Sequence, residues 1–327
     1  MTRRDTHGTQ LIPKLSTQVA FPVERQAGSS LWLEAVRNLF RNRSAIIGMS
    51  IITALILIAV FAPLIAPYNP RTQLFNDEAH RGLGRLPARP PCIYALGCAT
   101  DQPQHFMGLD LNARDMFSRV LYGSQISLVV GFVSVIVSII SGSLLGMIAG
   151  YAGGAIDNVI MRFMDVLLAF PSLLLAIAIV TVLGPGLQNA LLAISIVSIP
   201  AYARLARASV LQIKELEYIT AVRTLGAPDI RILFVHVLPN ALTPLIVQGT
   251  LGIGTAVLDA AALSFLGLGA QPPDPEWGAI LSEGRNRVFT APHLVFFPGF
   301  AIMLTVLGFN LLGDGMRDAL DPRLNRN

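Results

Sequence analysis

The stretch SQISLVVGFVSVIVSIISGSLLGMIAG (residues 124–150) contains no charged side chain and is apolar along most of its length. About 20 such residues in an α-helix cross the roughly 30 Å hydrocarbon core of a membrane. This stretch therefore predicts a transmembrane helix. Because it is longer than one crossing requires, we expect the helix to tilt or to protrude from the bilayer.

Composition and five further apolar segments extend this prediction to the whole chain. Only 13% of the 327 residues are charged and the mean hydropathy is +0.60, whereas a soluble domain carries about 25% charged residues. So little charge cannot solvate so much apolar surface in water. We predict an all-α integral membrane protein with six transmembrane helices, the other five at 45–67, 160–183, 187–203, 241–266 and 294–313.

The basic residues predict the orientation of these helices. With the N-terminus inside the cell, the cytoplasmic segments hold sixteen Lys and Arg residues and the outer loops hold eight. Because cytoplasmic loops carry an excess of basic residues, we expect both termini in the cytoplasm.

This orientation divides the chain into segments. Residues 1–29 are polar and are predicted to be a disordered cytoplasmic tail. Residues 30–67 combine a helix at the membrane surface with the first span. Residues 68–123 form an outer loop, residues 124–313 a core of five spans, and residues 314–327 a second cytoplasmic tail.

Four glycines recur at every fourth position of the second span: Gly142, Gly146, Gly150 and Gly154. In a membrane such a ridge lets two helix backbones approach closely. A phosphate-binding loop is the rival interpretation, but glycines at this spacing inside an apolar helix cannot form one. We therefore predict that they pack helices together.

Cys92 and Cys98 lie in the predicted outer loop, in a Pro-rich stretch. An oxidising exterior favours a small local disulfide between them. Two free thiols or half of a metal site are the alternatives, although no nearby His or Cys completes a zinc set.

Several kinds of chemistry are absent from the sequence. Neither Lys14 nor Lys214 is followed by Ser or Thr, so the phosphate-binding loop of nucleotide hydrolases cannot form. No H-E-x-x-H or G-x-S-x-G pattern occurs, and no basic stripe with interleaved aromatic residues indicates nucleic-acid binding. We predict no catalytic residues, cofactor or metal in this chain, and active transport would draw energy from an ion gradient or from another chain.

The cytoplasmic segment 215–240 lies between the fourth and fifth spans, and its pattern predicts a helix, a break and a second helix. A helix is predicted from Glu217 to Leu225, and Gly226 suits its left-handed C-terminal cap. Pro228 begins a second helix, which Pro239 closes before the fifth span. An ordinary amphipathic connector is the alternative interpretation of the same pattern.

This segment resembles the coupling motif of ABC importer permeases, E-A-A-x-x-x-G, nine residues, then I-x-L-P. Gly226, Leu238 and Pro239 match, whereas Thr220 replaces the Glu, Val222 the second Ala and His236 the Ile. The resemblance is closest to the C-type permease of dipeptide and oligopeptide importers and covers about 30–323. It also rests on residues 105–128, 150–177, 259–281 and 309–323, and residues 82–104 look like an insertion.

The resemblance implies a type-I ABC importer permease fold in a prokaryotic plasma (inner) membrane. It implies as partners a second homologous permease, two cytoplasmic ABC ATPase subunits that hold ATP and Mg, an extracytoplasmic solute-binding protein and membrane lipid. The cargo would be a peptide, or nickel or another small solute. The residues expected at the ATPase contact are Glu217, Tyr218, Thr220, Ala221, Val222, Arg223, Gly226, Ala227, Leu238 and Pro239.

Two acidic residues and one tryptophan leave alternatives open. Asp259, in the outer half of the fifth span, either lines the translocation path or makes a structural pair or a capping hydrogen bond. Asp165 is expected to pair with an arginine, Arg162, Arg204 or Arg207. Trp277 is expected at the membrane interface, where tryptophan is common; contact with the binding protein is the alternative.

Two other functional classes compete with a permease subunit. An ion-coupled secondary transporter would need midplane polar groups on broken helices in repeated halves, and no convincing inverted repeat is present in the sequence. A membrane enzyme would need converging nucleophile, base or metal ligands, which the sequence lacks.

Overall fold

The structure is a computed structural model, and it describes residues 37–77, 80 and 86–320. The regular structure within these residues is helical apart from isolated β-bridges. Nine helices organise it: α1 (Arg43–Ile65), α2 (Met116–Ala152), α3 (Gly154–Leu168), α4 (Ser172–Leu183), α5 (Leu187–Ile213), α6 (Glu217–Thr224), α7 (Asp229–Phe265), α8 (Trp277–Gly284) and α9 (His293–Leu320).

Five of these helices, α1, α2, α5, α7 and α9, are long and apolar enough to cross a membrane, and the pair α3–α4 supplies a sixth crossing if it is counted as one span. The predicted all-α membrane fold is confirmed. The prediction of one continuous helix at 160–183 was wrong, because this part of the chain forms two helices, α3 and α4, that meet at a bend of 92°. Pro171, at the N-cap of α4, explains the break, since proline disfavours helical geometry in the residue before it.

The two ends of the bundle are distinct, and we name them after the short helices that they carry. The start of α1 lies beside the end of α9, because Asn42 donates a hydrogen bond to Asp318 at 3.2 Å. Both lie at the α6 end, because Tyr68, just after α1, contacts Ser118 at the start of α2, which is at the opposite end. At the α8 end, Glu283 of α8 contacts the beginning of α2. The described chain therefore starts and finishes at the end that carries α6.

The predicted tails fall mostly outside the described residues. Residues 1–29, and residues 30–36 of the predicted surface helix, are among those that the structure does not describe. The tail predicted at 314–327 begins too early, because α9 continues to Leu320. Residues 321–327 lie outside the described part.

The helices α2 and α5 pack backbone to backbone along a ridge of glycines. A Cβ on Gly142 would lie 2.7 Å from the carbonyl oxygen of Ile199, and one on Gly146 would collide with the backbone of Ala203. Gly150 faces Val210 in the same way. Gly154 does not belong to this ridge, because α2 ends at Ala152 and nothing lies within 4 Å of a Cβ at Gly154.

The connection from α1 to α2 and the helix α8 cover the α8 end. In this region the sulfur atoms of Cys92 and Cys98 are bonded, with Cα atoms 5.3 Å apart. Trp277 is 1% exposed, and its indole N–H donates to the carbonyl oxygen of Val120 at 3.0 Å. The expectation that Trp277 lies at the membrane interface was wrong. Gly123 of α2 leaves the space that the indole fills.

Candidate functional site

Helix α6 begins and ends where the local sequence dictates. Glu217 lies in its first turn, where a negative charge is favoured, and Arg223 in its last. Gly226 then adopts a φ of +83°, and the backbone N–H of Ala227 donates to the carbonyl oxygen of Val222. Nothing lies within 4 Å of a Cβ at Gly226. The backbone conformation, rather than lack of space, therefore favours glycine here.

An apolar cluster anchors α6 to three long helices. Ile219 of α6 is fully buried, as are Val210 of α5 and Ile232 and Val237 of α7, and Met147 of α2 completes the cluster. Deep burial of this kind resists separation of the elements, since each large apolar side chain stabilises the packing by about 1.5–3 kcal/mol. The cluster therefore joins α6 to α2, α5 and α7.

A hydrogen-bonded contact fixes the other side of α6. The side-chain amide of Asn240 donates to the Tyr218 hydroxyl at 3.2 Å and to the carbonyl oxygen of His236 at 2.7 Å. Tyr218 thus ties α6 to the first turns of α7.

The prediction that Pro239 closes a separate helix was wrong. The chain passes from Asp229 through a π-helical segment, Ile232–Val237, directly into the α-helix that begins at Leu238. Pro239 occupies the first turn of that α-helix, where a missing N–H costs little. The start of α7 is therefore continuous with the span to Phe265.

The predicted contact residues divide between the surface and the interior. Val222, Ala227 and Leu238 pack against the anchoring cluster. The remaining seven are exposed: Glu217, Tyr218, Thr220, Ala221, Arg223, Gly226 and Pro239.

Large apolar side chains also project from this region. Leu225 is 87% exposed and Ile230 is 74% exposed, on either side of the turn at Gly226. We call these two residues with the exposed part of α6 the α6 surface. The sequence reasoning missed both residues, although both are large apolar residues beside a predicted turn.

Ion pairs connect the helices beside the α6 surface. Arg207 of α5 donates two hydrogen bonds of 2.6 Å to Asp157 of α3. Arg204 pairs with Asp165 at 2.6 Å, so one of the arginines expected for Asp165 is its partner. These pairs hold the polar side of α3 on α5.

Asp259 is half-buried on α7 and has no hydrogen bond or ion pair with any residue in the described part of the chain. The structural pair and the capping bond weighed for it do not form within that part. Gln248 and Thr255 precede it by eleven and four residues, which places all three on one helix face. Both are exposed.

A group of buried charged side chains at the α8 end was not predicted from the sequence. Arg119 is fully buried and pairs with Asp110 and Glu283, and Arg114 pairs with the same two carboxylates. Burial alone would raise the pKa of Glu283, but the hydrogen bonds and charges of Arg119 and Arg114 outweigh burial and lower it. The alternation of acidic residues and arginines in residues 110–119 is the sequence pattern that could have indicated these ion pairs.

Glu276 is a further buried acid at this end. It is fully buried, caps α8 by accepting a 2.9 Å hydrogen bond from the backbone N–H of Ala279, and accepts another from the Ser127 hydroxyl. Burial raises the pKa of Glu276, and these hydrogen bonds oppose that effect only in part.

Comparison with known proteins gives two family matches. Residues 142–326 match the model of the binding-protein-dependent transport system inner membrane component, and residues 30–88 match the N-terminal transmembrane domain of oligopeptide transport permease C.

Similar curated proteins are 45–49% identical over almost the whole chain. The dipeptide transport system permease protein of Alkalihalophilus pseudofirmus is 49% identical over 308 residues, 93% of each chain. The glutathione transport system permease protein of Pectobacterium atrosepticum is 45% identical over 293 residues, 90% of this chain and 91% of that protein.

A solved structure shares the fold. The inward-facing MetNI methionine ABC transporter contains a chain that matches with a TM-score of 0.52 and 21% identity, covering 63% of this chain and 98% of that one. The fold is that of a membrane-embedded permease. The chain belongs to the family of binding-protein-dependent transport system inner membrane components, as the coupling-motif resemblance predicted.

Proposed function

We propose that this chain is a transmembrane subunit of an ATP-driven, binding-protein-dependent importer of peptides. It forms the translocation path with a second permease, two ABC ATPase subunits dock on the cytoplasmic loops of the pair, one of them at the α6 end of this chain, and a solute-binding protein docks at the α8 end. Relatives named for dipeptide and glutathione transport favour a peptide cargo over nickel. The excess of basic residues in the predicted cytoplasmic segments supports an α6 end that faces the cytoplasm.

The α6 surface carries this proposal. Leu225 and Ile230 expose most of their side chains to water at the end of the bundle, which is costly unless a partner covers them. A groove on an ATPase subunit would bury both, and the exposed Glu217 and Arg223 would form the polar rim of the contact.

The anchoring cluster supplies the coupling. When the ATPase subunits close on ATP, they move α6, and the buried Ile219 passes that displacement to α2, α5 and α7. Packed helices shift as rigid bodies rather than deform, so the path changes between inward- and outward-facing states.

The face of α7 that carries Gln248, Thr255 and Asp259 contributes to the path. A carboxylate inside a membrane that lacks a partner among the described residues of its chain is expensive and marks a functional position. Asp259 supplies a negative charge for the ammonium groups that peptides carry.

The test compares one substitution at opposite ends of the bundle. Leu225→Asp and Ile230→Asp should reduce co-purification of the ATPase subunits at least tenfold, because each places a charge in an apolar contact. Phe289→Asp is the matched control, since Phe289 is fully exposed but lies beside α8.

Cargo uptake by reconstituted vesicles completes the experiment. Uptake should fall with ATPase binding in Leu225→Asp and Ile230→Asp, while Phe289→Asp retains its ATPase subunits. Full ATPase binding and uptake in both α6-end variants would refute the docking assignment.

A further inference from the structure

A row of four titratable side chains runs through the α8 end. Asp77 contacts the Nδ1 atom of His80, the Nε2 atom of His80 lies 2.9 Å from the Nε2 atom of His105, and the Nδ1 atom of His105 lies 2.7 Å from Asp115. The two histidines are 3% and 2% exposed. The row joins the connection after α1 to the residue that caps α2.

The outer contacts of the row fix where two protons lie. The Oδ2 atom of Asp115 accepts hydrogen bonds from both the backbone N–H and the hydroxyl of Ser118, at 2.8 and 2.7 Å, which leaves its Oδ1 atom to accept from His105. His105 therefore donates its Nδ1–H to Asp115. His80 donates its Nδ1–H to the carboxylate of Asp77, whose side chain is 43% exposed.

These assignments leave both Nε2 atoms facing each other. Two neutral rings would then bring two lone pairs together, and two imidazolium rings would bring two N–H groups and two positive charges together. Only one additional proton gives a hydrogen bond, donated by one Nε2 atom and accepted by the other. The 2.9 Å contact thus requires three protons on the four ring nitrogens.

We propose that His80 and His105 form a proton-binding site that holds one proton between their Nε2 atoms, and that the contact opens when a second proton binds or the first is lost. The site makes the position of the connection after α1 dependent on pH. It is independent of the α6 surface and of the cargo.

The charges around the site favour one positive ring. Asp77 and Asp115 face it from opposite sides, and the Tyr68 ring lies against His105 with ring centroids 5.2 Å apart and the ring planes tilted by 31°. Burial, followed by the charges of Asp115 and Asp77 and a contribution from Tyr94, raises the pKa of Tyr68, so this phenol stays neutral. The neighbouring Arg114 and Arg119 are paired elsewhere, with Asp110 and Glu283.

The geometry determines which ring moves when the contact opens. His105 is held by backbone hydrogen bonds to Cys92 in both directions, each 2.9 Å long. His80 contacts Asp77, whose side chain is 43% exposed. His80 therefore leaves, and the connection after α1 loses this contact with His105, while the Tyr68 N–H still donates to the Ser118 hydroxyl at the start of α2.

A double-mutant cycle across pH tests the proposal on the full chain in lipid nanodiscs. The thermal midpoints of wild type, His80→Gln, His105→Gln and the double variant are measured from about pH 5 to about pH 8, the range in which histidines change charge. The coupling between the two positions should pass through a maximum and decline on both sides. Coupling that is constant with pH would overturn the proposal.

A second pair of variants changes a charge near the site, and each is introduced into all four members of the cycle. Asp77→Asn removes a carboxylate that stabilises the positive ring, so both edges of the coupling maximum should move to lower pH. Asp101→Asn, an exposed residue of the same connection, should move neither. An unmoved maximum in Asp77→Asn would contradict the proposal, as would coupling that EDTA abolishes, since the histidines would then hold a metal.

Discussion

Arg119 of α2 and Glu283 of α8 form an ion pair of 2.6 Å between residues 164 positions apart in the chain. The guanidinium group is fully buried, and the carboxylate is 21% exposed. The pair therefore holds α8 on the beginning of α2 and closes the α8 end of the bundle.

Replacing Glu283 should destabilise this end. Glu283→Ala leaves the buried Arg119 with only Asp110, and breaking a buried pair costs about 3–5 kcal/mol. We expect a lower thermal midpoint of the purified protein in detergent. Arg287→Ala, at an exposed position shortly after α8, is the control and should leave the midpoint unchanged.

The lowered pKa of Glu283 gives this pair a definite pH dependence. A carboxylate whose pKa falls on folding adds stability above its unfolded value, about 4.3, and loses it as pH drops through the folded value. The wild type should therefore lose its advantage over Glu283→Gln on acidification below about pH 4.3. A stability difference that persists at the lowest pH would argue against an ionic contribution.

Glu276 should respond in the opposite direction. Because burial raises the pKa of Glu276, its ionised form opposes folding at neutral pH. Glu276→Gln keeps a hydrogen-bonding group for Ala279 and Ser127, so the thermal midpoint at pH 7 should equal or exceed that of wild type. Glu276→Ala leaves the Ala279 N–H and the Ser127 hydroxyl without this acceptor, and it should lower the free energy of unfolding by about 1–3 kcal/mol. Equal midpoints in the two variants would show that the cap contributes nothing.

The glycine ridge should tolerate no side chain at its centre. Gly146→Ala places a methyl group against the backbone of Ala203, and overpacking of this kind typically costs about 1–3 kcal/mol. In Gly299→Ala, a control on α9, the added Cβ meets no atom closer than 4.0 Å. Thermal unfolding should separate the two variants, with Gly299→Ala at or above the wild-type midpoint.

Substitutions at Gly226 separate backbone conformation from docking. Gly226→Asn should retain ATPase binding, because asparagine tolerates positive φ, whereas Gly226→Arg adds a bulky charge to the α6 surface and should abolish uptake while the protein remains inserted. Uptake and membrane insertion are measured together. Normal transport by Gly226→Arg would remove the coupling role of this turn.

Asp259→Asn tests the path without disturbing the fold. The half-buried carboxylate has no partner within the described residues, so its neutral isostere should keep the wild-type thermal midpoint and ATPase binding. Uptake of a peptide with a free amino terminus should fall at least tenfold. Uptake equal to wild type would exclude a role for the charge.

The elements that the sequence predicted correctly depend on interactions within a few turns of chain. Gly226 could be predicted to end a helix because its left-handed conformation depends on the residues immediately beside it. Gly142, Gly146 and Gly150 share a face because helical periodicity places them there, whereas Gly154 was misplaced because the end of α2 could not be located to within one turn.

The features that the sequence did not reveal depend on contacts between distant segments. Nothing near Arg119 in the chain indicates Glu283, and nothing near His105 indicates that His80 lies 2.9 Å away. Tryptophan is common at membrane interfaces, yet Trp277 is buried in the space beside Gly123.

The sequence alone determined that the chain is a helical membrane protein, because the length of each apolar segment and the scarcity of charge can be counted along the chain. An apolar segment that crosses a bilayer must be helical if it is to satisfy its own backbone hydrogen bonds. The sequence also determined the turn at Gly226. Only the tertiary structure decided which charges pair, which predicted contact residues face outward and where one proton can be held. Those properties depend on distances of about 3 Å between side chains, and such distances exist only after the helices have packed.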